Sequence, residues 1–135
     1  MDTRQPRQCG GAALEMAIVL VVVLMLLLGI INVGIAVWSY NTISEATREG
    51  ARYGSTLGTT AGYSVSSATS AITSQVQAYA FGIPINTISV SWNSGQNTLG
   101  STLTVTTTYN YAAIASGLGF PSISLSSSAS MMMSD

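Results

Sequence analysis

The sequence predicts an α+β protein, with a long N-terminal transmembrane helix projecting into a small domain of one short helix and a three-stranded antiparallel sheet. Residues 16–38 are apolar apart from Asn32. Val65, Ala68, Ile72, Val76 and Tyr79 then recur at helical spacing, and from Ile88 onward apolar residues alternate with Ser and Thr. Taken in order along 135 residues, these patterns divide the chain into a leader (1–10), a transmembrane and projecting helix (11–54) and a small α+β domain (55–135).

Length sets the first element. The apolar run of 23 residues spans roughly 34 Å at helical rise, enough to cross a hydrocarbon core. Glu15 stands at its mouth, where a carboxylate costs free energy unless it has a partner or a task. Ahead of it come Arg4, Arg7 and the pair Gly10-Gly11. Small glycines just before a hydrophobic segment, with Glu at the fifth position after Gly10, are similar to a prepilin-type processing site, cut between Gly10 and Gly11 so that the helix stays on the mature protein. A secretory signal peptide would instead pair a shorter apolar core with an Ala-x-Ala site. The plain alternative is a signal anchor in which Glu15 reaches the headgroups. Cys9 is the one cysteine, so no intramolecular disulfide is possible. The polar stretch Arg4-Gln5-Pro6-Arg7-Gln8 before it argues against a lipoprotein signal.

The chain has a net charge of −1 and neither His nor Lys, and residues 53–134 carry no charge at all. Ser and Thr make up 30 of those 82 residues, so the domain is polar without a basic patch to neutralise phosphates, and nucleic-acid binding is not expected. Arg4 and Arg7 on one side of the apolar run balance Arg48 and Arg52 on the other, so the count of positive residues does not set orientation. The second pair, however, lies ten or more residues beyond the apolar edge and alternates with acids. The expected topology therefore keeps the N-terminus in the cytoplasm and translocates the uncharged domain.

Residues 39–54 hold no proline and no cluster of turn residues, so the helix is expected to continue out of the bilayer. On it Glu45, Arg48, Glu49 and Arg52 fall within about 100° of arc, a zwitterionic stripe. Such a stripe serves either as intrahelical pairing in water or as a subunit contact. The opposite side carries Ile43, Ala46, Thr47, Gly50 and Gly54. Ala46, Gly50 and Gly54 repeat every four residues and would let another helix or a sheet approach closely. Asn32, an amide inside the apolar run, calls for a hydrogen-bond partner worth about 0.6–2 kcal/mol. That partner is either a group on another helix, with Gly29 and Gly34 permitting close approach, or the helix's own backbone.

Residues 58–62 read as a loop, and the short helix that follows closes at Gly82 and Pro84. Ile88, Val90 and Trp92 share one strand face, Asn93-Ser94-Gly95 turns the chain, and Leu103, Val105, Thr107, Tyr109 and Tyr111 alternate in a second strand. Residues 117–121 break the pattern, and Ile123, Leu125, Ser127, Ala129 and Met131 supply a third strand, with Met131-Met132-Met133 as its frayed end. Trp92, Tyr109 and Tyr111 read as core at strand spacing; an aromatic surface for glycans or another subunit is the alternative. About 80 residues is small for an independent domain, so packing on the projecting helix should matter to its stability.

The run Gly10-Gly11-Ala12-Ala13-Leu14-Glu15, the hydrophobic helix and Ala46-Thr47-Arg48-Glu49-Gly50-Ala51-Arg52-Tyr53 together resemble the TadE-like minor pilins, or pseudopilins, of tight-adherence pilus systems. The closing segment from Ile123 to Met131 is also similar to that family's last strand. The resemblance implies a pilin-like subunit of the cytoplasmic membrane, processed by a prepilin peptidase, that helps build a Flp-type adhesive type IV pilus. Its partners would be other pilins, Tad-type pilus assembly proteins, the prepilin peptidase and membrane lipid, in a homo- or hetero-oligomer. The sequence departs from the family at Asn32, where an acid is common, and near Ile35, where a basic residue is common.

No enzymatic activity, cofactor or metal is expected. Between residues 53 and 134 there is no His, Cys, Asp, Glu, Lys or Arg, hence no ordinary general acid or base, no usual metal ligand set and nothing to activate a serine. The expected function is that of a structural assembly subunit, a minor pilin. The alternatives are a major pilus subunit and a single-pass envelope protein with a ligand-binding domain. The residues expected to act are Gly10 and Gly11 in processing, and Glu15, Asn32, Ala46, Gly50 and Gly54 in assembly.

Overall fold

The computed structural model describes residues 9–114 and 121–134; the leader before Cys9 and most of the break read at 117–121 lie outside the described residues. The elements are α1 (Cys9–Gly54), α2 (Val65–Tyr79), β1 (Thr87–Trp92), β2 (Thr102–Tyr111) and β3 (Ile123–Met132). The three strands form one antiparallel sheet in the order β1-β2-β3. This is the α+β class expected from the sequence.

α1 runs 46 residues without a break, yet its halves lie in different surroundings. From Gly10 to Leu27 every residue is exposed. Beyond that a stripe is buried: Asn32, Ser39, Ile43, Ala46, Thr47, Gly50, Ala51 and Gly54. The last six recur at the intervals that keep residues on one helix face. Thr47 is fully buried and donates its hydroxyl to the Ile43 carbonyl at 2.7 Å, so it brings no unpaired donor into the core. At the helix end Ser55 Oγ donates to the Arg52 carbonyl and Thr56 Oγ1 to the Tyr53 carbonyl, each at 2.8 Å. These bonds satisfy acceptors that a terminal turn leaves over.

α2 starts at a capping box built entirely from serine. Ser67 N donates to Ser64 Oγ at 3.2 Å and Ser64 N donates to Ser67 Oγ at 2.9 Å, with Ser67 in the place Glu or Gln usually takes. Ala68, Ile72 and Val76 form its buried face, while Tyr79, expected to share it, is exposed. That face lies on α1 where α1 has no side chain. A Cβ added at Gly50 would collide with Val76 Cγ2, and one at Gly54 would lie 2.5 Å from Leu103 Cδ2 and 2.7 Å from Ile72 Cδ1. The small-residue row is thus filled by α2 and β2 of the same chain. Because Ile72 meets Gly54 and Val76 meets Gly50, α2 runs antiparallel to α1.

β2 also runs back along α1, from Leu103 beside Gly54 to Tyr111 beside Asn32. Its inward residues pair across the sheet: Leu103 opposes Trp92 and Met131, Val105 opposes Val90 and Ala129, and Thr107 opposes Ile88 and Ser127. With Ala46, Ala51, Leu57, Ile72, Val76 and Met133, the residues Leu103, Val105, Trp92, Ile88, Val90 and Ala129 form one core between the helices and the sheet, whereas Met131, expected on the same face, is exposed. On the outer face hydroxyls join the strands, Thr104 to Ser130 at 2.9 Å and Thr106 to Ser128 at 3.1 Å.

The chain turns at Asn93-Ser94-Gly95 as expected, with Gly95 N donating to the Trp92 carbonyl at 3.0 Å, but the β1–β2 connection continues to residue 101, with Gly95 and Gly100 at φ +73° and +76°. It is held by fully buried Asn97, whose Nδ2 donates to the Leu57 carbonyl at 2.9 Å and the Tyr63 carbonyl at 3.0 Å, while its own carbonyl accepts from Thr59 N at 3.0 Å. The triple Met131-Met132-Met133 is not frayed. Met131 and Met132 remain in β3, and Met133 is buried in the core, its backbone N donating to the Ser101 carbonyl at 2.8 Å.

Gly50→Leu is expected to lower the unfolding free energy of the full chain in detergent micelles by about 1–3 kcal/mol or more, through overpacking against Val76. Arg48→Ala, at an exposed site, should stay within about 0.5 kcal/mol; the reverse ranking in thermal melts would make the charged stripe the packing face. Among the described residues Thr107 Oγ1 is buried without a hydrogen-bond partner, and such an atom costs about 1–3 kcal/mol. Thr107→Val should therefore raise the melting midpoint, and a lowered midpoint would show that the hydroxyl is bonded.

Candidate functional site: the membrane helix and its attachment to the sheet

The lower half of α1 is a hydrophobic rod with nothing from the other described residues against it. Its most apolar 18-residue window has a mean hydropathy of 3.1 and is only 6% buried. Leu14, Met16, Ile18 and the run from Val19 to Leu27 present their side chains outward. So large a bare apolar surface is untenable in water and matches a hydrocarbon solvent, which makes this helix a single-pass membrane anchor. Gly10, Gly11 and Glu15 lie on its first turns, all exposed. A Cβ added at either glycine would meet no atom within 4 Å, so among the described residues nothing covers the expected processing site.

Asn32 ends the bare region, and it is 7% exposed. Its Nδ2 donates to the Leu28 carbonyl at 2.9 Å, and its Oδ1 accepts from Tyr111 Oη at 3.1 Å and from Ile114 N at 3.0 Å. Both partner types considered from the sequence are therefore present, the helix's own backbone and a group beyond it, but the second comes from the chain's own sheet. Among the described residues no atom beyond the helix's own neighbouring backbone lies within 4 Å of a Cβ built at Gly29 or Gly34. The apolar run continues to Trp38, yet from Asn32 upward it lies alongside the sheet. The bare stretch of residues 11–31 would span about 31 Å, close to one hydrocarbon thickness. Between α1 and the end of the sheet lies an apolar cavity of about 370 Å³, lined by Gly29, Val33, Val37, Tyr111, Pro121 and Ile123 among others.

The charged stripe faces away from the core. Arg52 grips Glu49 with two bonds, Nη2 to Oε1 at 2.7 Å and Nε to Oε2 at 2.9 Å. The hydrogen bond from Arg52 holds the Glu49 carboxyl below its ordinary range, and the same bond raises Arg52. A carboxyl lowered in the fold stabilises above its unfolded pKa, and that contribution is lost as the pH falls through the lowered value. Arg52 is largely exposed, so the contribution is small. Glu45 and Arg48 are exposed too. Trp92 and Tyr111 are buried and Tyr109 partly so, which places these aromatics mainly in the core. Among the described residues no group of three or more His, Cys, Asp or Glu could hold a metal ion.

Two residues of this arrangement carried no signal in the sequence. Ile114 contributes through its backbone N, and Asn97 sits in a stretch of turn residues that gives no sign of burial. Tyr111 was visible as an inward strand residue, but its bond to Asn32 spans 79 positions and no local pattern encodes it.

The family model described as TadE-like protein matches residues 10–52, which is α1 almost from end to end and excludes α2 and the sheet, including the closing strand. No curated protein and no solved structure matches the chain. The segment from Gly10 to Arg52 is therefore TadE-like.

Proposed function

We propose that this chain is a minor pilin, or pseudopilin, of a Tad (Flp-type) type IV pilus, cut by a prepilin peptidase and held in the cytoplasmic membrane by one helix until it joins other pilins and Tad assembly proteins. One observation carries the reading: within the TadE-like segment, the helix from Gly10 to Leu27 is exposed along its whole length among the described residues and bears a single acid, Glu15. A membrane helix gains no hydrophobic driving force by leaving lipid for another apolar helix, so specific pairing depends on packing and on rare polar groups. Glu15 is that group here. The folded domain above would keep the helix upright and carry the uncharged surface outward, with the N-terminus in the cytoplasm.

Processing is the first test. Cutting after Gly10 leaves Glu15 at the fifth position of the mature chain, whereas cutting after Gly11 would leave it one position early. Intact-mass analysis of the membrane-resident protein should show a chain beginning at Gly11. A mature protein that retains Met1 or Asp2 would falsify the processing step.

Cleavage creates a positive amine at Gly11, four residues before Glu15 and at similar membrane depth. A carboxylate at that depth is costly unless a cation meets it. Within one helix the amine reaches Glu15 only if the first turn frays, so the amine of an adjacent subunit is the better partner, and the pairing would set the register of each incoming subunit. Glu15→Gln should insert and be cleaved as the unaltered chain is, yet co-purify with other pilins at least about tenfold less at equal membrane abundance, the loss expected for about 1.4 kcal/mol. Equal recovery of the two would make Glu15 a boundary residue only.

A further inference from the structure

The end of the sheet that meets Asn32 differs from its opposite end in a way the anchor alone does not require. Around residues 93–101 the distal end is built from Asn, Ser, Gly, Gln and Thr, and its exposed large apolar residues, Leu99 and the Met132 that pairs with Thr102, lie at the Gly54 end of α1, away from the bare helix. The proximal end offers Ile114, 68% exposed, and Ile123, 49% exposed, beside Val33 and Val37 of α1, which are also exposed. Ile123, Val33 and Val37 line the apolar cavity at Asn32, and Ile114 follows Ala113, which lines it too. Its lining is continuous with the bare helix, because Gly29 and Val33 also line the shallow groove formed with Met25, Leu26 and Ile30. One uninterrupted apolar surface therefore runs from the membrane segment onto the domain.

We propose that this end of the domain docks on the phospholipid bilayer itself, with Ile114, Ile123 and Val33 entering the interface of the leaflet on the domain's side and the hydrocarbon boundary lying at Asn32. Three features fit a lipid occupant. The bare helix below Asn32 would be one hydrocarbon thickness long, so Asn32 and the Ile114 backbone bonded to it fall at the boundary. Polar groups at that depth must find partners within the protein, and they do: the Asn32 amide, the Tyr111 hydroxyl and the Ile114 N–H bond one another and the Leu28 carbonyl. Trp38, exposed and six residues higher on α1, stands about 9 Å above Asn32, at headgroup level where amphipathic rings accumulate. Docking of this kind fixes the height and tilt of the domain over the membrane before any partner arrives.

The proposal rests on the reading of α1 as a membrane anchor, and the experiment separates the two. In a Cys9→Ser background, single cysteines at positions 24, 33, 114, 123 and 99 of the full chain are spin-labelled in phosphatidylcholine–phosphatidylglycerol vesicles. Collision with molecular oxygen, which concentrates in lipid, is compared with collision with a water-soluble nickel chelate. Labels at 24, 33, 114 and 123 should show a severalfold excess of oxygen over nickel access relative to the label at 99, which should favour nickel. If 114 and 123 favour nickel as 99 does while 24 favours oxygen, the docking proposal is overturned and the anchor stands. If 24 also favours nickel, the anchor reading fails and takes the docking with it. Low access to both reagents at 33, 114 and 123, with dipolar broadening, would mean that a second copy fills the cavity, which also overturns the proposal.

Discussion

The two hydrogen bonds that Asn32 accepts from Tyr111 and from the Ile114 backbone join the ends of a chain whose two halves need different solvents. Below them α1 is stable only where water is absent. Above them it is one wall of a water-facing domain. A helix that passes straight from one medium to the other has no loop to absorb error, so the level at which the domain begins has to be set by a specific contact. An amide serves this purpose well, since it is costly to bury unpaired in hydrocarbon and cheap once bonded.

Above that level the fold depends on the absence of side chains as much as on their presence. Gly50 and Gly54 let Val76, Ile72 and Leu103 press onto the α1 backbone. A domain of this size has little interior, and close approach raises the share of its apolar surface that is buried. With no charge in residues 53–134, the sheet relies on cross-strand hydroxyl pairs and loop anchors such as Asn97 rather than ion pairs. Stability should accordingly depend little on pH near neutrality or on salt, with the exposed Glu49–Arg52 pair adding a small salt dependence.

Much of this was legible in the sequence because it is local. The apolar run, the Ala46-Gly50-Gly54 row, the α2 heptad-like spacing and the alternation of the strands each depend on neighbours a few positions apart, and each names its element and its buried face. What was not legible joins distant positions. Asn32 read as an amide bonded either to another helix or to its own backbone; the bond to the Leu28 carbonyl is local, whereas that from Tyr111 spans 79 positions. The three methionines read as a frayed end because only the pairing of Met133 with Ser101, and its place in the core beside Leu57, buries the last of them. Asn97 looked like any turn residue until the loop at 55–63 supplied the carbonyls that hold it.

The TadE-like match covers α1 and stops at its end, and the two-sided character of α1 explains what such a segment demands of the rest. It contains the lipid-facing run and also the row of small residues and the amide that dock the domain. A helix of this kind constrains its domain without specifying its sequence. Whatever follows must offer branched apolar tips to Gly50 and Gly54, and hydrogen-bond donors to position 32 at the right height. α2, β2 and the residues after Tyr111 meet those demands here with the aliphatic tips of Val76, Ile72 and Leu103, the Tyr111 hydroxyl and the Ile114 backbone N–H. The outer face of the sheet touches none of them, so its chemistry is free to change with whatever it meets.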